Sequence, residues 1–377
     1  MERYHGQELG ERPHIAVLGS SKIGNFVVTV PLLQALAERF NSPVIDFWGS
    51  ELTRDFETEL PQISWRFSWD RPDGNLLSSL SEAASQRLSE VGPLDLLINC
   101  DGFNPVTQVL ASWLRPHFVA GASLSLNSRS SFPWGDHPYQ RFLNDPDWDS
   151  PAFLARYPDF FKSNYIGELL CRLAFLDMPD SPCSLPSRPP SFSTPDVLIH
   201  VTTTRAAKIW PAAHWQEVLS WCSRQAITVG LVGSPPKRQQ EDYNAGDLED
   251  ILLSTTDLID LRGQTSLIEL AGACLQAKAV VSVDAGPMHI AAAVGTPTLA
   301  VVGNDPSGLG ASPIRLWMPR SSNCERTVST FSCDGCEAVR FRNDSCLKES
   351  HFCMEGVPAS QVITWLDRLL RTAEVSR

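Results

Sequence analysis

The chain has 377 residues, 43% hydrophobic and 20% charged. That is the composition of a folded globular protein, and the length divides into two domains more readily than it fills one core. A formal net charge of −12 argues against nucleic acid as a partner, because phosphate backbones select basic patches and none is evident here.

No apolar run reaches the roughly 18 residues needed to cross a membrane, and residues 1–13 are polar where a signal peptide needs an apolar core. The expectation is a cytoplasmic protein without a transmembrane segment, with peripheral membrane contact left open. Ten cysteines in such a chain argue against a disulfide framework.

In the first half, residues 14–19, 43–48, 94–100 and 117–121 read as buried strands, and 26–40, 76–91 and 105–115 as helices between them. The alternation predicts a parallel sheet covered by helices. Asn25, just past the first strand, reads on its own as the N-cap of the next helix. Asp101 directly follows the strand ending at Cys100, as a carboxylate at a ligand-binding strand end or as a turn-former before Gly102. Residues 131–148 are aromatic, acidic, Pro-rich and longer than a routine connection. They suit a lid that offers Trp and Tyr faces to a sugar acceptor, or packing over the sheet. A first domain over 1–178 then gives way to a linker over 179–196, where six prolines from Pro179 to Pro195 exclude a helix.

A second alternating series covers 197–357. Residues 197–201 and 227–233 read as strands around a helix Ala212–Arg224, and Ser266 with Glu269 forms a capping box for the helix Leu267–Gln276. Ala279–Val283 is a buried strand; Gly286 and Pro287 then start a helix that Gly295 and Pro297 stop. Asp284 and His289 therefore flank a helix N-terminus at the carboxyl end of a strand. Free N–H groups and the helix dipole favour an anion such as phosphate there, against a bland reading as turn cap and satisfied histidine. Lys208, between a strand end and Trp210-Pro211, reads as a ligand-facing cation, with Thr203 and Thr204 as hydroxyl donors or plain turn residues. A last segment, 358–377, carries a helix over about 359–373 with Val362, Trp365, Leu366, Leu369 and Leu370 on one face.

These motifs in this order resemble glycosyltransferase family 9, the family of bacterial ADP-heptose transferases. The resemblance rests on residues 281–303, 203–211, 260–267 and 17–31, and leaves residues 121 to about 163 and the extreme N-terminus uncovered. It implies two Rossmann-like α/β domains facing a cleft, the glycosyltransferase B-type fold, with the last helix packing back on the N-terminal domain. The implied activity is inverting, metal-independent transfer of a heptose-like sugar from an ADP-linked donor to an acceptor hydroxyl, with no cofactor for catalysis. Donor contacts fall on Thr203, Thr204, Lys208, Asp284, Ala285, Gly286, Met288 and His289, with Lys208 also stabilising the leaving diphosphate. The acceptor falls on Ser21, Lys22, Gly24 and Asn25, and can be a saccharide, a protein side chain or a small metabolite.

Two positions depart from the family. Asn25 stands where the family carries the Asp that deprotonates the acceptor, and an amide cannot take that proton at neutral pH. Three readings follow: Asp101 takes over, Asn25 only orients an acidic acceptor, or the chain binds nucleotide-sugar without transfer. A nucleotide-sugar epimerase, sharing the two-domain architecture, is a further alternative. Lys237 stands where a carboxylate often meets the base or ribose, which leaves the nucleotide open.

Cys333, Cys336, Cys346 and Cys353 form C-x2-C-x9-C-x6-C, with Cys324 nine residues upstream. They fit a tetrahedral, structural zinc or iron site, or a loop of reduced thiols. Family members often carry a similar pattern ending in Cys-Met, matched here by Cys353-Met354.

Overall fold

The computed structural model describes residues 1–71, 75–135, 145–181, 183–243 and 246–375. The chain divides into two compact units, Met1–Cys183 and Ser184–Arg377.

Unit 1 is built on six parallel strands: β1 (Glu2–Arg3), β2 (His14–Leu18), β3 (Val44–Gly49), β4 (Trp65–Ser68), β5 (Leu96–Asn99) and β6 (Phe118–Ala120). Their spatial order is β1-β6-β5-β2-β3-β4, so the winding reverses between β2 and β5. β2, β3 and β5 are buried along their whole length, as continuous apolar runs covered on both faces should be. The helices Ile23–Arg39, Leu76–Glu90 and Pro105–Trp113 overlap the predicted ones, the first starting earlier than the expected residue 26.

Glu2 and Arg3 pair with Phe118 and Val119 as an edge strand. Arg3 anchors it by donating to the carbonyls of Gly121, Phe132 (2.7 Å) and Pro133 (2.8 Å). Burial pushes the Arg3 guanidinium down to about 10.

Unit 2 repeats the architecture with β7 (Val197–His200), β8 (Val229–Leu231), β9 (Ile259–Asp260), β10 (Ala279–Val283), β11 (Thr298–Val301) and β12 (Cys324–Arg326), all parallel, in the order β12-β11-β10-β7-β8-β9. The reversal falls between β7 and β10. In a doubly wound sheet the loops leaving the carboxyl ends of the two strands at such a reversal turn to opposite faces and leave a crevice for ligand. Ser266 accepts from the Glu269 N–H and the Glu269 carboxylate accepts from the Ser266 N–H, the capping box expected on the helix Leu267–Gln276.

The Pro-rich segment is only partly a free connection, because Arg188 N–H donates to Ile268 O (3.1 Å) and Gly272 receives the Arg188 carbonyl. A Cβ on Gly272 would lie 1.8 Å from that oxygen, so only glycine admits the approach. Pro182 lies outside the described residues. The last helix, Ala359–Val375, packs on Ala212–Arg224 of its own unit, and Val362, Trp365 and Leu366 join Trp210 and Trp215 in one core.

Candidate functional site

In unit 2 the loop leaving β7 runs through a short 3₁₀ turn, Ala206–Lys208, and the loop leaving β10 opens at once into the helix Gly286–Ala293. Because β7 and β10 are neighbours at the reversal, residues 76 positions apart meet. Lys208 Nζ donates to Asp284 O at 2.9 Å and to Asp284 Oδ2 at 3.1 Å. Both side chains are largely buried, 14% and 9% exposed.

Burial alone would raise the Asp284 carboxyl, but the Lys208 ammonium, a hydrogen bond from Ser312 and the nearby His289 outweigh it and hold the group below the usual carboxylate range. Burial pushes His289 down to about 4; Lys208 adds to this and Asp284 partly opposes it. At neutral pH the site therefore holds an ammonium, a carboxylate and a neutral imidazole beside a helix start.

The remaining donor residues separate. Thr203 is buried and Thr204 exposed. Ala285 is the extended N-cap, followed by Gly286. Pro287 has no N–H, and the Met288 N–H turns back to Ala285 O (3.2 Å), so the first turn offers fewer free donors than its length suggests. The Met288 side chain is fully buried against Ala300, Val302 and Ile314, which makes it core rather than a ligand contact.

The loop after β11 supplies partners the motifs do not show. Ser312 Oγ donates to Asp284 Oδ2, and Asn304 holds Ser312 by donating to its carbonyl at 3.0 Å. Asp305 folds this loop by accepting from Ser307 and from the Leu309 N–H, which with a further hydroxyl from Ser332 draws it down to about 2. The Asn, Asp, Pro, Ser and Gly residues of 303–313 are turn formers, yet nothing local in the sequence ties them to Asp284. Gly263, within the 260–267 element, has φ +70° and donates to Gly233 O (2.9 Å). Lys237 is exposed beside Glu241, and the buried carboxylate nearby is Glu249, which accepts from Gln239 and Arg262.

In unit 1 the equivalent strand ends bring the first loop and Asp101 together. Asn25 is the third residue of its helix and Lys22 holds the cap position, so the N-cap reading of Asn25 is wrong. Its amide Nδ2 donates to Ser20 Oγ (2.9 Å). Ser21 in the preceding loop and Gly24 in the first turn of the helix are half-buried, and Lys22 is exposed. Burial raises the Asp101 carboxyl, opposed by the Asn104 amide (3.3 Å) and the Lys22 charge. The Asp101 carbonyl also accepts from the Asn104 N–H and the Thr107 hydroxyl, so the residue forms a turn and still presents a half-buried carboxylate. Of the loop 131–148, residues 136–144 lie outside the described residues; Trp148 stacks on the exposed Phe103 at 5.8 Å.

All ten cysteines are free. Burial, then the neighbouring Cys333, Cys336 and Cys346, push Cys353 up to about 12, so the four thiols share one neighbourhood. They are the right donor type for zinc or iron. As they stand they are not a ligand set, for among the described residues no three His, Cys, Asp or Glu side chains are grouped to hold a metal ion.

Residues 168–328 match glycosyltransferase family 9 (heptosyltransferase). The chain is 33% identical over 113 residues to lipopolysaccharide heptosyltransferase 1 of Salmonella typhimurium, covering 30% of this chain and 33% of that protein. It is 32% identical over 187 residues to the Pseudomonas aeruginosa protein of the same name, covering 48% and 49%. The chain thus spans about a third to a half of these curated relatives. Among solved structures, a glycosyl transferase family 9 protein from Veillonella parvula matches 97% of this chain and 99% of its own at TM-score 0.69 and 17% identity, a likeness of fold. The chain is glycosyltransferase family 9 (heptosyltransferase)-like, in sequence over residues 168–328 and in fold over nearly its whole length.

Proposed function

We propose that the chain is a cytoplasmic, inverting, metal-independent glycosyltransferase that moves a heptose-like sugar from a nucleoside diphosphate to an acceptor hydroxyl. The observation that carries this reading is the Lys208–Asp284 pair beside the start of Gly286–Ala293, at the reversal of the unit 2 sheet. The names of the curated relatives support heptose as the sugar and a saccharide as the acceptor, and the motif resemblance supports ADP.

In this reading unit 2 holds the donor and unit 1 the acceptor. The acceptor oxygen attacks the anomeric carbon from the face opposite the diphosphate. The bond from that carbon to the phosphate oxygen breaks, and its electron pair leaves with the diphosphate. Lys208 and the helix start stabilise that charge, supplying what a divalent cation supplies elsewhere. The acceptor proton passes to Asp101, whose raised pKa suits a base, while Asn25 orients the hydroxyl. Asp284 acts through Lys208 by fixing its ammonium. The four thiols of Cys333, Cys336, Cys346 and Cys353 are proposed to take up a structural zinc or iron outside the reaction.

A second reading, binding without transfer, is favoured by Asn25, whose Nδ2 is engaged with Ser20 and whose amide cannot serve as the base. Mass spectrometry of ligands retained by the purified protein tests the donor assignment. A nucleotide-sugar on the wild type that is lost from Lys208→Ala supports it; equal retention by both, or an unrelated ligand, refutes it.

A further inference from the structure

Arg205 sits within the phosphate-type loop, three residues before Lys208, and its sequence position suggests a second phosphate ligand. Its guanidinium points elsewhere. Nε donates to Asn343 O at 2.7 Å, Nη2 to Asn343 Oδ1 at 3.1 Å and Nη1 to Ala311 O at 3.0 Å. Three directed bonds to two segments leave this planar fork committed inward.

Each contact has a consequence for the site. Ala311 directly precedes Ser312, whose hydroxyl holds the Asp284 carboxylate. Asn343 begins the stretch that holds the turn carrying Lys208: the Ala207 N–H donates to Asp344 O (2.8 Å), and His351 Nε2–H donates to Ala207 O (2.8 Å). Trp210, two residues past Lys208, closes the loop by donating from its indole to Val357 O at 2.9 Å. Asn343 Nδ2 also reaches Cys336 Sγ at 3.2 Å, joining this scaffold to the cysteine cluster. The cysteine-rich segment is thus the bed on which the 3₁₀ turn lies, and Arg205 bonds both this bed and the loop behind Asp284.

We propose that Arg205, locked by Asn343, is a positioning residue for the Lys208–Asp284 pair, and that the cysteine-rich segment braces the diphosphate grip. The inference deepens the functional reading above and rests on Lys208 gripping a diphosphate. Lys208 is a flexible side chain on a three-residue turn, and an error of about 1 Å in such a group costs on the order of a hundredfold in a preorganised site.

The test is an epistasis measurement. ADP affinity is determined by calorimetry for wild type, Arg205→Ala, Arg205→Lys, Asn343→Ala, Lys208→Ala and the Arg205→Ala/Lys208→Ala double variant, with thermal midpoints recorded for each. Arg205→Ala is expected to weaken ADP at least about tenfold. Arg205→Lys is expected to fail as a rescue, because one ammonium cannot serve three acceptors, and Asn343→Ala to lose affinity in the same direction. The double variant binds ADP no more weakly than Lys208→Ala alone. Additive losses would overturn the proposal, since they mean that Arg205 touches the nucleotide or only supports the fold. Unchanged ADP binding in Arg205→Ala, with Lys208→Ala impaired, overturns this inference alone. Unchanged binding in Lys208→Ala, or no ADP binding by the wild type, overturns the functional reading and this inference with it.

Discussion

His289 should make folding stability depend on pH in a way that a surface histidine cannot. It is 4% exposed, and burial takes it from an ordinary 6.5 to about 4. Between those values the unfolded chain binds a proton that the native chain refuses, so stability is full above about pH 6.5 and falls as the pH drops toward 4. Each pKa unit is worth about 1.4 kcal/mol, so this one residue removes roughly 2–3 kcal/mol between pH 7.5 and pH 4.5.

The perturbation is His289→Gln, which keeps a polar side chain and deletes the titration. The assay is urea unfolding of both proteins across that range. The difference between them isolates His289 from other groups, including the buried His200, which burial also shifts downward. The variant is expected to lose roughly 2–3 kcal/mol less than the wild type on acidification. Parallel pH profiles would refute the reasoning, and so would a histidine signal assigned to His289 titrating near 6.5. The same state predicts that diphosphate binding does not strengthen between pH 7.5 and 5.5, as it would if a histidinium held the anion.

Asp101→Asn is expected to lower kcat by about 10²–10⁴ with a smaller change in KM, and Asn25→Asp to restore part of that loss in the double variant; full activity in Asp101→Asn rules this carboxylate out as the base. Gly263→Ala puts a Cβ 2.9 Å from Pro235 Cα at φ +70°, and should cost about 1–3 kcal/mol of stability by thermal or urea unfolding; an alanine variant as stable as wild type contradicts this. Elemental analysis of protein from metal-supplemented cells should find stoichiometric zinc or iron that is lost in Cys333→Ser/Cys336→Ser; absence of metal from both proteins would refute the metal site and leave the cysteines as reduced core and loop residues.

The legible parts of the fold were those written twice, in pattern and in punctuation. β10 and the helix Leu267–Gln276 have the predicted bounds because an apolar run or a capping box coincides with turn residues at each end. The missed strands β1, β4, β9 and β12 have two to four residues and lie at or beside sheet edges. β9 is exposed on both faces, so it carries no apolar run, and its existence depends on β8 alongside.

The site divides the same way. Lys208, Asp284 and His289 were readable because strand ends and a helix start fix their place. Ser312, Asn304 and Asn343 were not, because each reaches the site through a contact far away in sequence. Asn favours the cap position, which gives Asn25 a structural alternative to its place in the acceptor loop, but the helix begins two residues earlier, with Lys22 in the cap position. Met288 entered through its motif, and its packing made it core.

In the proposed function Lys208 holds a nucleoside diphosphate and then releases it during sugar transfer. The most direct measurement is acceptor-dependent release of ADP from an ADP-heptose donor by wild type and by Lys208→Ala. The wild type is expected to release ADP and the variant to lose about 10²-fold or more of that rate. Equal turnover by the two proteins would contradict this role of Lys208.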